Sequence, residues 1–187
     1  MCYFITAVIP KGVRLPDAQT AAERHGRKLE PIHNPGVQHQ LHTGEVLCLT
    51  TAGHCDCGTA LGAKAQSLDR SSNEPDSKSR KRAVRGWSAA KLERALRDSR
   101  RTGPDSRAAA EIANWVGLLA AMRDCGLPYL CVLLHAYDSS VADEPIEIRG
   151  RVVVAPGSAR EALESMAEDT LYEFRFAAAA PGLRRGA

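Results

Sequence analysis

The sequence predicts an α+β fold, and three stretches carry that prediction. Cys2 to Ile9 is a β-branched and aromatic run closed by Pro10 and Gly12, which reads as a strand. Tyr129 to Tyr137 is an unbroken apolar run between breakers, the pattern of a strand covered on both faces. Between them, Ile112, Trp115, Val116, Leu119 and Met122 recur at helical spacing and stop at Gly126, before Pro128. With 187 residues, 44% hydrophobic and 25% charged, the chain has the size and composition of one domain spanning 1–187.

The remaining elements follow in order. Asp17, after Pro16, is placed to cap a helix through Ala18, Ala21, Ala22 and Leu29, stopping before Pro31. His33 to Gly36 reads as a turn and Glu45 to Thr51 as a second strand. Residues 66–86 are polar and charged with almost nothing to bury, so a flexible linker is expected there. Ser88 is placed to start a helix ending near Arg101. Asp105 or Ser106 caps the surer helix that stops at Gly126. Ile146 to Ala155 is expected to pair antiparallel with the 129–137 strand. Ser158 and Glu161 form a capping-box pattern, and Leu163, Met166, Ala167, Thr170, Leu171 and Phe174 continue it as a final helix. The tail 177–187 is expected to fray. About four strands with helices on one face predict a two-layer α/β sandwich with a mostly antiparallel sheet, ferredoxin-like by analogy of element order alone.

No apolar run reaches the ~18–20 residues that span a bilayer, and the apolar start lacks a basic flank and a cleavage site. The expectation is a soluble, cytoplasmic protein without a membrane partner. The six cysteines are then expected as thiols rather than disulfides.

Candidate chemistry concentrates in His54-Cys55-Asp56-Cys57, bracketed by Gly53 and Gly58. The two cysteines are two positions apart, so an extended backbone puts both sulfurs on one side. Thiolates with an imidazole suit zinc or another thiophilic metal. Cys2 is the preferred added ligand, since a neighbouring strand can bring it alongside; His33, His39 and His42 are alternatives. Cys48, Cys125 and Cys131 read as small buried hydrophobes. The reading that follows is a zinc-binding or thiol-site protein acting as a partner-binding or regulatory module.

Two other classes compete. If Met1 is removed, Cys2 carries a thiol beside a free amine that can act as base, which suits a hydrolase or transferase with a cysteine nucleophile. An alternative catalytic reading pairs Cys55 or Cys57 as thiolate with His54, His42 or His135 as base, His135 lying at a strand end. Third, residues 78–107 hold eleven Lys or Arg and three acids, a net +8 that leaves −5 for the rest of the chain. Arg94, Arg97 and Arg101 form a helical basic stripe that suits nucleic-acid phosphates or an acidic protein partner. No phosphate-loop, dinucleotide, serine-hydrolase or zincin motif is present.

Overall fold

In a computed structural model, residues 2–63 and 104–176 are described. They form an α+β fold around one six-stranded mixed sheet. The strands are β1 (Cys2–Pro10), β2 (Glu30–Pro31), β3 (Glu45–Leu49), β4 (Tyr129–Tyr137), β5 (Gly150–Val154) and β6 (Thr170–Arg175). The helices are α1 (Leu15–Arg24), α2 (Pro35–Gln38), α3 (Pro104–Asp124) and α4 (Ala159–Glu164). Sheet order is β2-β3-β1-β4-β6-β5, with every neighbouring pair antiparallel except β5 and β6.

Alternation along β1 and β4 divides the sheet between two cores. Tyr3, Ile5, Ala7 and Ile9, with Leu130, Val132, Leu134 and Ala136, face α1, α3 and α4. Val8, Cys131, Leu133 and Tyr137 face the other way, where Val37 of α2 and Ile146 cover them. α3 ends as the glycine anticipates: Gly126 is left-handed at φ 84°, and Leu127 N–H reaches back to the Met122 carbonyl.

The structure corrects several readings, among them the end of α1, which stops at Arg24 short of Leu29, and the 33–36 turn, which opens a short helix over 35–38. The sheet has six strands, not four, its order departs from the ferredoxin-like analogy, and the helices do not all share one face, since α2 packs on the side opposite α1, α3 and α4. The 146–155 segment supplies β5, which lies parallel to β6 and does not touch β4 in the ladder. The 158–174 helix stops at Glu164, and Thr170–Arg175 is a strand. Its residues alternate, with Tyr172 and Phe174 in the helix-facing core and Leu171 in the other. Asp169, at φ 60°, turns the chain between them. Asp17 and Ser158 make no cap: the flanking residue of α1 is Arg14, which pairs with Asp17, and Ser158 has no side-chain hydrogen bond to its helix. Instead Asn34 caps α2, its side chain accepting from Val37 N–H at 3.0 Å.

β5 is a sheet edge, and its Val152 and Val153 are the large apolar side chains most exposed among the described residues, at 44% and 52%. Also among the described residues, no helix is long and apolar enough to cross a membrane. The 66–86 linker, the Ser88 helix and the 177–187 tail lie outside the described residues.

Candidate metal centre

β1 pairs with β3 only as far as Thr6 opposite Leu49. Toward its Cys2 end the outer backbone groups of β1 need other partners, and the loop after β3 supplies them. Thr50 N–H and its hydroxyl donate to the Ile5 carbonyl at 3.2 and 2.6 Å. Asp56 N–H donates to the Tyr3 carbonyl at 2.7 Å, and Ile5 N–H donates to the Asp56 carboxylate at 3.0 Å. Tyr3 N–H donates to Cys57 Sγ at 3.2 Å. Residues 50–57 thus replace the missing strand.

Asp56 is the anchor of this arrangement. It is 1% exposed and also takes the Thr51 hydroxyl and the Arg27 guanidinium, the latter at 2.5 Å. Arg27 is itself buried and lies over the Trp115 ring, 4.5 Å from its centre. Thr59 N–H and hydroxyl close the turn on the Asp56 carbonyl, and Glu111 of α3 accepts from Ala60 N–H at 2.5 Å. Gly62 completes the packing: a Cβ there would stand 2.1 Å from the Asp56 carbonyl oxygen. Gly53 and Gly58, by contrast, are neither left-handed nor crowded. The glycine that the loop requires is therefore Gly62.

With the loop so held, Cys2, Cys55 and Cys57 converge. Their sulfurs all lie within 4.8 Å of one another, and all three residues are half-buried. The Cys55 thiol sits above its ordinary pKa. The Cys57 N–H favours its thiolate. That effect is outweighed by the thiol–thiol hydrogen bond to Cys57, by burial, and by repulsion from Cys57 and Cys2. A cation placed among the sulfurs would reverse that repulsion on the Cys55 thiolate.

His54 is exposed and stands outside the three-sulfur group. The loop turns Asp56 inward onto β1, and the imidazole is left toward solvent. His42 sits beside Glu45, which pairs with Pro10 at the far end of β1; His33 and His39 flank α2. Cys48 and Cys131 are fully buried, and burial pushes each thiol up to about 12, in keeping with a packing role.

His135 occupies a separate cluster. Its Nδ1 is 2.5 Å from Asp169 and its Nε2 is 3.5 Å from Glu144, while its ring meets Tyr137 edge-on at 4.6 Å. Glu168 joins His135 and Asp169 in a second group of converging ligand atoms. These carboxylates are already engaged. Glu168 accepts from Ala136 N–H at 2.9 Å, Asp169 pairs with Arg149 at 3.0 Å, and Glu144 takes three donors from Asp138 and Ser139. Register places Cys2 opposite Tyr137 and Phe4 opposite His135, so the two candidate catalytic residues are diagonal neighbours. The hydrogen-bond partners of His135 are carboxylates, not a thiol. Arg94, Arg97 and Arg101 lie outside the described residues.

A third polar cluster closes the opposite end of the sheet. Arg151 donates to Glu45 at 2.5 and 3.1 Å, to Glu173 at 2.6 Å and to Cys131 Sγ at 3.3 Å. Tyr129 hydroxyl donates to Glu45 at 2.9 Å, and Arg175 donates to Glu173 at 2.6 Å. Burial alone would raise both carboxyls, but the guanidinium contacts prevail and hold Glu45 and Glu173 below the usual carboxylate range. This cluster has no counterpart in the sequence reading: its members come from β3, β4, β5 and β6, with no local motif.

No protein-family model, no curated protein and no solved structure matches this chain.

Proposed function

We propose that this protein is a metal-binding module in which Cys2, Cys55 and Cys57 hold one thiophilic ion, zinc, and that the ion fixes the loop after β3 to the start of β1 as a surface for a partner. The observation that carries this reading is the convergence of three sulfurs from segments 53 residues apart in sequence. Zinc binds thiolate at about 2.3 Å, and tetrahedral geometry then sets sulfurs about 3.8 Å apart, a spacing reached from the observed cluster by side-chain rotation. Because binding displaces thiol protons, affinity rises with pH through the thiol range.

The test is elemental analysis of full-length, untagged, reduced protein. The expected result is close to one zinc per chain, falling to a trace in Cys2→Ser and Cys57→Ser with the circular dichroism of the fold retained. Only a trace of zinc in the wild type overturns the reading. Zinc at a hundredfold excess over its dissociation constant raises unfolding stability by about 2.7 kcal/mol, and neither serine variant shows that rise.

A second reading, catalysis by a Cys2 nucleophile with His135 as base, draws on the His135–Asp169 contact, which orients an imidazole as general bases are oriented. Its mark is alkylation of Cys2 by iodoacetamide at neutral pH that slows in His135→Ala. An equal rate in the two proteins removes it. Binding of nucleic acid or of an acidic protein through Arg94, Arg97 and Arg101 rests on charge alone. Its test is a complex that salt dissolves.

A further inference from the structure

We infer that the ion held by Cys2, Cys55 and Cys57 keeps one coordination position open and that the ligand class this position takes is an external thiolate. The inference rests on the metal-centre reading and goes on to name what the centre binds.

A census of soft donors carries it. All six cysteines and all six histidines of the sequence fall within the described residues, so each is accounted for. Cys48 and Cys131 are fully buried beside Ala7 and Val8, which lie five and six residues along β1 from Cys2, about 16 Å or more away. Cys125 follows α3 and contacts the Asp17 carbonyl at 3.7 Å. It lines a cleft with Pro10 and Gly12, at the other end of β1. His25 is bonded to Asn114 and His39 to the Pro35 carbonyl. His42 lies beside Glu45, and His33 follows β2 and precedes α2. His135 faces a carboxylate at each ring nitrogen. His54 alone is a chain neighbour of the trio, and it stands exposed outside the group.

The chain's own soft donors therefore converge as a set of three. Closed structural zinc sites use four protein ligands, whereas three ligands leave a position for water or a reacting molecule. Half-burial of all three cysteines leaves that position reachable from solvent. An all-sulfur set on a borderline ion favours a further soft donor. The exchange balances without redox change: a thiol gives its proton to the buffer, its thiolate binds the metal, and the bound water departs. The thiolate can belong to a small thiol or to a cysteine of a second copy.

The full-length protein loaded with cobalt(II) tests this, with reduced glutathione as probe. Sulfur-to-cobalt charge-transfer absorbance scales with the number of bound thiolates, so going from three to four raises it by about a third. The expected result is a saturable rise of that size at unchanged cobalt content, and the same rise in His54→Ala. A band already at its four-sulfur height without glutathione, in a sample that sediments as a dimer, assigns the thiolate to a second copy. No rise in the wild type with a monomer overturns the inference. So does a spectrum that His54→Ala alters before glutathione is added, with only that variant responding, because His54 then fills the position. Failure of cobalt to bind at all rejects the metal centre itself, a distinguishable outcome.

Discussion

At the Pro10 end of β1, Arg151 lies between Glu45 and Glu173, Tyr129 and Arg175 complete the set, and charge is balanced within the protein. At the Cys2 end, Asp56 and Arg27 form a more deeply buried ion pair that pins the loop whose thiols meet Cys2. Both ends draw residues from distant segments. The first is a network in which each carboxylate meets a guanidinium. The second fixes a backbone so that three thiols remain close, and on the metal-centre proposal a bound cation would relieve the repulsion between their thiolates.

The largest way to break this contrast is Asp56→Ala. It leaves Arg27 buried without its carboxylate and frees the loop from β1, so unfolding stability should fall by about 3–5 kcal/mol in urea titration, and zinc affinity should fall with it. Gly62→Ala probes the loop without removing charge. The added Cβ meets the Asp56 carbonyl, and a loss of about 1–3 kcal/mol is expected, again with weaker metal binding.

The far cluster is sharpened by acid. Glu45 and Glu173 titrate below their unfolded values. Their contribution is thus complete above the ordinary carboxylate pKa of about 4.3 and is lost as pH falls through the lower folded values. The urea midpoint should drop as pH is lowered through that window, and Glu45→Gln should drop less steeply while starting lower. The smallest effect belongs to Ser158→Ala. With no cap hydrogen bond to lose, its melting curve should match wild type to within about 0.5 kcal/mol.

The elements legible in the sequence were those whose pattern is local and unambiguous. Tyr129–Tyr137 is bounded by Pro128 on one side and Asp138 on the other, and the structure places β4 on those residues. The α3 stripe and its Gly126 stop were equally plain. β6 was not legible, because Thr170, Leu171 and Phe174 sit three and four apart and extend the Leu163 and Met166 stripe as well as they alternate in a strand. The usable signal was Tyr172 and Phe174 against Glu173 and Arg175. At the candidate site, the Cys-x-Cys pair and the idea of Cys2 on an adjacent strand could be read from the residues. The burial of Asp56 could not, since its partners Arg27 and Ile5 are 29 and 51 positions away. Gly53 and Gly58 flank the motif, yet a Cβ at either would meet nothing. Gly62 matters because of what it touches, which spacing cannot show.

β6 also has a consequence for how the molecule is made. It is inserted between β4 and β5, both of which precede it in the chain. Until β6 forms, β4 has one open hydrogen-bonding margin and β5, which carries the exposed valines, lacks the one strand it pairs with among the described residues. A chain that stalls before Thr170 offers the geometry that recruits stray strands from other polypeptides, so nascent copies should depend on holdase chaperones until residues 170–175 emerge.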